Sequence, residues 1–412
     1  MRIAQINMLH FGSTGKIMFS LAEVARESGD EVLTFSPRCY RKGMGDHFPQ
    51  IDGHVYFGSW AENMLHHHIA KITGLNGCFS FWGTKELIRE LENFNPDIVH
   101  LHNLHNWSFN LALLFDYLKK SGVRVIWTLH DTWSFTGYCP CFNVSGCVKW
   151  KTECGKCPQT REYPGTYLDT SRLMYHLKKK WFTGVKHMTL VTPSRWLASL
   201  VQQSYLRNYP VQVINNGIDL EIFRPRQSDF RDKHGIDQKK LMLLGVAFGW
   251  GNRKGLDVFV ELSKKLDVEQ YQIVLVGTDD YVDEKLTPNI ISVHRTQNQF
   301  ELAEIYTAAD LFVNPTREDN YPTVNMESLA CGTPVITFRT GGSPEIVSER
   351  TGAVVDCDDV MSLEREIKRI RSEQPYSRQS CLEYAQNFNM YLRFREYLDL
   401  YSLHDTIEYS GA

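Results

Sequence analysis

Short apolar runs alternate with amphipathic stretches along almost the whole chain. Residues 3–8 form a largely apolar run, Gly12-Ser13-Thr14-Gly15 a turn, and residues 16–26 space their apolar positions for one face of a helix. A short strand is predicted at 31–35. The alternation returns with a strand at 97–101, a helix at 108–120, strands at 123–129 and 188–191, and a helix opened by Pro193-Ser194. Residues 131–170 break the rhythm and read as an insertion. A second series begins near Val211, with strands at 211–214, 241–247, 272–276, 291–294, 311–314 and 334–337. Helices are predicted between them at 256–265, 301–309 and 324–330, and a last one at 390–403. Such alternation implies parallel sheets covered on both faces. The expected fold is α/β: two facing Rossmann-like domains, 1–210 and 211–388, with a central cleft and a final segment 389–412. Ligands in such sheets bind beyond the carboxyl ends of the strands.

Two glycine loops follow predicted strands. Gly12-Ser13-Thr14-Gly15-Lys16 fails the P-loop pattern, because His10 stands at its first glycine and Ile17 at its magnesium-holding hydroxyl. What survives is a turn at a helix N-terminus, with Gly12 and Gly15 as an anion or hydroxyl site or as a tight turn that needs glycine. The second loop, Gly249-Trp250-Gly251-Asn252-Arg253-Lys254-Gly255, is a loose dinucleotide fingerprint that carries two adjacent cations. Arg253 and Lys254 suit a diphosphate that leaves, where positive charge must meet growing negative charge.

The most specific stretch runs from Arg317 to Glu345. Glu318-Asp319 follow a strand end, Asn320-Tyr321-Pro322 lead into a helix, and Glu327 lies one turn inside it. Carboxylates so placed can grip vicinal hydroxyls, and the helix N-terminus between them accepts phosphate charge.

This stretch resembles the acidic signature of glycosyltransferase family 4, retaining enzymes of the GT-B fold. Glu327 matches the second glutamate of that signature, and Cys331-Gly332-Thr333-Pro334-Val335 the strand entry after it. The first acidic position falls on Asp319, not Glu318. Asn215-Asn216-Gly217-Ile218-Asp219 resembles the family's linker, and Lys254-Gly255 its diphosphate clamp. The clamp's arginine is replaced by Gly249, with Arg253 as the substitute. His130-Asp131, closing a strand, matches the histidine beside the donor sugar. The resemblance implies a nucleotide-diphosphate-sugar donor (UDP- or GDP-linked), with Glu327 and Asn216 toward the nucleotide. Asp319, Glu318, Asn320 and Tyr321 hold the sugar, and Lys254 and Arg253 the diphosphate. It also implies retention of configuration without a catalytic metal, a glycan or lipid-linked glycan acceptor, and a last helix that crosses back to the first domain. His100, His102 and His105 are candidates to line the acceptor side.

Five of the ten cysteines fall between Cys139 and Cys157. Cys154 and Cys157 form a Cys-x-x-Cys knuckle, Cys147 precedes it, and Cys139 or Cys141 supplies a fourth thiolate. Four such ligands suit a closed, structural zinc site. A similar insertion occurs in capsule and colanic-acid type members of the family, where Cys139, Cys147, Cys154 and Cys157 are the matching positions. Residues 176–186 are basic and aromatic, a segment suited to anionic lipid or to a solvated cationic face over core aromatics. His66-His67-His68 reads as solvated surface.

Composition narrows the field. Forty-five Lys and Arg against 48 Asp and Glu give a net charge of −3, which argues against a dedicated nucleic-acid binder. No stretch is long and apolar enough for a membrane span, and Gln5, Asn7 and His10 interrupt any signal-peptide core. A cytoplasmic protein is expected, with peripheral contact at the inner face of the plasma membrane. The competing readings are a soluble-acceptor sugar synthase of the same fold, a non-catalytic nucleotide-sugar sensor, and a dinucleotide oxidoreductase.

Overall fold

The computed structural model describes residues 1–39 and 48–403. Residues 404–412 of the expected last segment, and 40–47 of the first domain, lie outside the described residues. The chain divides into two compact units. Unit 1 is Met1–Ile214 with the chain from Phe394 onward, and unit 2 is Asn215–Arg393.

Unit 1 holds a parallel sheet of seven strands: β1 Arg2–Ile6, β2 Glu31–Pro37, β3 His54–Phe57, β4 Ile98–Leu101, β5 Arg124–Thr128, β6 Met188–Thr192 and β7 Val211–Val213. Their order is β3-β2-β1-β4-β5-β6-β7. Unit 2 repeats the plan with six: β8 Leu241–Val246, β9 Tyr271–Val276, β10 Ile290–Val293, β11 Leu311–Asn314, β12 Val335–Phe338 and β13 Gly352–Val355, in the order β10-β9-β8-β11-β12-β13. Both faces of the second sheet are covered. Met242, Leu244, Val274 and Phe312 pack on one side, and Leu243, Ile273, Leu275 and Val313 on the other. That is why these strands read as unbroken apolar runs rather than as alternation.

The helices at Leu256–Lys265 and Thr323–Ala330 fall where the pattern predicts. Ser194 caps the helix Arg195–Val201 by accepting the Leu197 N–H at 3.1 Å. Four readings change. The strand at Val211–Val213, attached by pattern to the second series, pairs in parallel with β6 and is the edge of the first sheet. Gly12–Gly15 is not a free turn but the opening turn of the helix Gly12–Glu27. His66 is buried, its Nδ1 2.8 Å from Ser80 Oγ, so the histidine tract is only partly solvated. In the basic segment, the helix Ser171–Phe182 buries Lys178 and Phe182 completely. Phe182 belongs to the core, whereas Trp181 is partly exposed next to the exposed Lys179 and Lys180. Between 131 and 170 the chain forms two short 3-10 turns, Trp133–Phe135 and Lys149–Lys151.

Candidate functional site

In the second sheet the connections run outward in opposite directions from β8 and β11, which lie side by side. The loops that leave their carboxyl ends diverge and open the crevice where α/β sheets bind ligands. Both of the stretches richest in candidate chemistry sit there. Lys254, in the glycine loop after β8, donates from Nζ to Asp319 Oδ2 at 2.7 Å, with the two side chains 17% and 23% exposed. The Arg253 carbonyl accepts from Arg317 N–H (2.9 Å) and from Thr316 Oγ1 (3.3 Å), and the Arg253 guanidinium reaches the Glu318 carbonyl at 3.3 Å.

Two glycines make this closeness possible. Gly255 (φ +74°) packs on the Pro315 carbonyl, and Gly341 (φ +54°) on the Asp319 carbonyl, where any Cβ would overlap the oxygen. Gly342 N–H donates to the same Asp319 carbonyl at 3.2 Å. Arg317 fastens the loops from outside, with ion pairs to Asp257 and Asp358 at 2.7 Å each. Those carboxylates hold its guanidinium above its ordinary range, Asp257 foremost.

Asp319 and Asn320 are partly exposed, whereas Glu318 and Tyr321 are buried and the Tyr321 ring packs in the core. Glu327 is partly exposed on the helix Thr323–Ala330, and its Oε2 accepts from Tyr306 OH at 3.2 Å. Burial, and next the Glu327 carboxylate, push the Tyr306 hydroxyl far above its usual pKa, so it stays a donor. Beneath it, Asn314 Nδ2 donates to Asn325 Oδ1 at 2.8 Å and stiffens the helix start. Asn216 lies partly exposed in a segment held by Ile218 N–H to the Phe388 carbonyl at 2.8 Å.

Unit 1 has its own switch point, between β1 and β4. Asn7 ties the two loops there: its Nδ2 donates to the Leu9 carbonyl (2.8 Å) and its Oδ1 accepts from Asn103 N–H (3.2 Å). Gly15 is needed because a Cβ would strike the His10 carbonyl group. His130 closes β5 and stacks on His102, with 3.2 Å between its Nε2 and His102 Nδ1. His102 in turn stacks on His100, whose ring lies 2.6 Å from Tyr401 OH and 2.8 Å from Thr128 Oγ1. His100 and His102 are fully buried, so they support the strand end and do not line an acceptor surface. Burial lowers the His130 pKa to about 4 and that of His100 to about 3. His105 Nε2 stands 2.9 Å from Asp131 Oδ2. Burial would raise Asp131, but His105 and the Trp133 N–H outweigh it and hold the carboxyl below its ordinary value.

Cys139, Cys147, Cys154 and Cys157 line one small cavity, and Cys141 is not part of its wall. Gly137 N–H donates to Cys154 Sγ at 3.2 Å. Burial raises the Cys139 and Cys157 thiols and pushes Cys154 up to about 11. Beside them the buried Lys178 ammonium donates to the carbonyls of Trp133 and Thr136, the latter at 2.9 Å. Its Nζ stands 3.6 Å from the Trp133 ring centroid, and burial pulls its pKa down to about 7. Ligand atoms of Asp280, Asp283 and His294 lie within 4.8 Å of one another, but Asp280 is fully exposed and the group lies outside the sites above.

Tyr306, Arg317 and Asn7 were not singled out by the sequence. A tyrosine inside a helical apolar pattern looks like core, and only the strand order shows which hydroxyl or guanidinium meets which loop.

A family model described as Glycosyltransferase Family 4 matches residues 15–222, just over half of the chain, and one described as Glycosyl transferases group 1 matches residues 226–388. A relative named for colanic acid biosynthesis, the glycosyl transferase WcaC of Escherichia coli (strain K12), is 26% identical over 338 residues, covering 75% of this chain and 80% of its own. A D-inositol 3-phosphate glycosyltransferase of Mycobacterium sp. (strain JLS) is 29% identical over 194 residues, 43% of this chain and 44% of its own. Among solved structures, a sucrose-phosphate synthase from Thermosynechococcus elongatus superposes with a TM-score of 0.69 at 19% identity, over 97% of this chain and 98% of its own. HepE of Anabaena in complex with UDP-glucose gives 0.64 at 13% identity, over 98% of this chain and all of its own. At these identities the structures show the fold, which is GT-B.

Proposed function

Because the chain belongs to Glycosyltransferase Family 4, we propose that this GT-B glycosyltransferase moves a sugar from a nucleotide-diphosphate donor onto a lipid-linked glycan in surface-polysaccharide synthesis. The observation that carries the reading is the meeting of Lys254, Asp319 and the Glu327 helix at one switch point. UDP-glucose held by HepE and the colanic acid name of WcaC support donor and pathway class. Glu327 takes the ribose hydroxyls, and Asn216 in the linker is assigned to the nucleotide as well. The Glu318–Tyr321 loop takes the sugar through Asp319, and Lys254 with Arg253 takes the diphosphate.

The acceptor is assigned to unit 1, with His130 hydrogen-bonding a sugar hydroxyl and the Gly12–Gly15 turn offering helix N–H groups. An acceptor oxygen bonds to the anomeric carbon as the bond to the phosphate oxygen breaks, and the acceptor proton passes to that leaving oxygen. Configuration is retained. The chain contributes positioning and positive charge at the leaving group, so Lys254 and Arg253 fill the place a metal would take. Cys139, Cys147, Cys154 and Cys157 share one cavity wall, but among the described residues only Asp280, Asp283 and His294 bring ligand atoms within 4.8 Å of one another, so the thiols would have to close on an ion to hold a structural zinc. Bound zinc would supply folding stability to the 131–170 insertion. Among the described residues, no helix is long and apolar enough to cross a membrane, and membrane contact is assigned to the surface.

The test is hydrolysis and transfer with UDP-, GDP- and ADP-sugars, followed by product identification. Turnover of one donor with an α- or β-product matching the donor is expected. Binding without turnover would favour a sensor, transfer to free sugars alone a soluble synthase, and no binding of any donor would reject the reading.

A further inference from the structure

Tyr163 belongs to the 131–170 insertion, yet its hydroxyl reaches the switch point of unit 1. The loop that carries it is closed at its base. Cys157 N–H donates to Asp169 Oδ2 at 2.7 Å, and Ser171 Oγ donates to Asp169 Oδ1 at 2.6 Å. Further along, Tyr163 OH stands 3.0 Å from Nδ1 of His105, in the loop that follows β4. His105 Nε2 is in turn 2.9 Å from Asp131 Oδ2, just past the end of β5. A carboxylate only accepts, so Nε2 carries its proton toward Asp131. In the neutral ring Nδ1 is then left to accept from the Tyr163 hydroxyl. Burial, and next the Asp131 charge, raise that hydroxyl above its usual pKa, so it keeps the proton it donates.

The polar end of Tyr163 is thus spent inside the chain, while the residue stays 49% exposed. What it offers outward is its ring. A second ring stands beside it. Trp107, in the same loop as His105, is partly exposed and meets Tyr163 edge to face, with centroids 6.4 Å apart. The Trp107 ring is held by His67, 4.1 Å between centroids, and its carbonyl accepts from Ser80 Oγ at 3.1 Å. Neither Tyr163 nor Trp107 is part of the apolar core of unit 1. Two anchored aromatics outside the core, at the place where an α/β sheet takes its ligand, ask for a ligand face.

We propose that Tyr163 and Trp107 form the platform on which the terminal sugar ring of the acceptor stacks, so that the insertion takes a direct part in acceptor choice. This deepens the glycan-acceptor reading and rests on it. A pyranose gathers C–H bonds on its faces and hydroxyls round its rim, and an aromatic ring takes such a face while leaving the rim to polar groups. The charges nearby fit a neutral ring. Arg161 and Glu162, exposed just before Tyr163, are of opposite sign. Asp131 is answered by His105, and Asp169 by the Cys157 N–H and Ser171. Tyr163 and Trp107 are specificity residues; His105 is a positioning residue that acts through Tyr163.

The experiment is saturation-transfer NMR on the full chain with methyl glycosides of glucose, galactose, mannose and N-acetylglucosamine, without donor. Hydrolysis of UDP-, GDP- and ADP-sugars is followed beside it. Saturation of the C–H protons on one ring face of at least one glycoside is expected, weakened about fivefold or more in Tyr163→Ala and in Trp107→Ala. Tyr167→Ala, an exposed tyrosine of the same loop, should bind as the parent does. His105→Ala should weaken binding, and His105→Ala/Tyr163→Ala should be no worse than Tyr163→Ala alone, because the two act as one unit. Thermal unfolding accompanies each variant. If a Trp107 or His105 variant unfolds, Tyr163→Ala and Tyr163→Phe, which alter a loop residue, decide the matter. Binding unchanged in the Tyr163 variants, or lost equally in Tyr167→Ala, overturns the proposal. No glycoside contact in a parent that still hydrolyses a donor removes this platform and leaves the donor reading standing. Contact that depends on Tyr163 in a parent that turns over no donor removes the transfer reading and leaves a glycan-binding surface.

Discussion

Lys254 Nζ and Asp319 Oδ2, 65 positions apart in the chain, meet at 2.7 Å where β8 and β11 release their loops. Each charge answers the other. A diphosphate would compete for the ammonium and free the carboxylate for sugar hydroxyls. Lys254→Met is therefore expected to lower kcat/KM by about 10²–10³-fold, the size of effect seen when one preorganised charge donor is removed from a reacting oxygen. Steady-state kinetics with the thermal midpoint as control check it; a loss below threefold would refute the assignment.

Glu327→Ala is expected to lower transfer by roughly 10- to 10²-fold while the chain stays folded, because the carboxylate is partly exposed on a short helix. Losing a hydrogen bond to a charged group costs about 1.5–3 kcal/mol. Tyr306→Phe, which removes the hydroxyl that orients Glu327, should raise the donor KM by a smaller factor with little change in kcat. Near-normal turnover by the alanine variant would overturn the role given to Glu327.

Gly341→Ala adds a Cβ where the backbone is left-handed and the Asp319 carbonyl already sits. The acidic loop must shift, at a cost on the order of 1–3 kcal/mol. Activity should fall more than stability, since Asp319 loses its place while most of the core of unit 2 is untouched. Calorimetry beside kinetics separates the two; equal activity in parent and variant would contradict the geometry.

Stability should decline as acid is added. Burial lowers His100 to about 3 and His130 to about 4, and His102 also falls well below its ordinary value of 6.5. Unfolded, all three titrate near 6.5. Between that value and about 4 the unfolded chain therefore holds more protons than the folded one. Their stabilising contribution is complete above pH 6.5 and is lost progressively as pH falls through the folded values. Each site adds a slope of about 1.4 kcal/mol per pH unit. Urea unfolding across this range checks it, and His100→Gln should flatten the profile by about one site.

The cysteine cavity predicts zinc in protein purified without chelators, with a chelator lowering the thermal midpoint. Cys154→Ser should lose the metal, whereas Cys141→Ser, outside the cavity wall, should keep it. Negligible metal in the parent would reject the site.

Local patterning was enough to read two parallel α/β units and the helices at 256–265 and 324–330, but it missed the edge strands His54–Phe57 and Gly352–Val355, while motif spacing singled out Lys254, Asp319 and Glu327 as candidates. Strand and helix periods, and the residue types a diphosphate or a sugar hydroxyl requires, are properties of neighbours in sequence. The sequence did not reveal that Val211–Val213 closes the first sheet, that Lys178 and Phe182 point inward, or that a helix exposes Leu65 and Ile72 while burying His66. Those outcomes depend on which surface is already covered when each segment packs. The pairing of Lys254 with Asp319, and the histidine stack from Tyr401 to His130, likewise follow from strand order. Only the tertiary structure decides strand order, because it places side by side residues that the chain itself holds far apart.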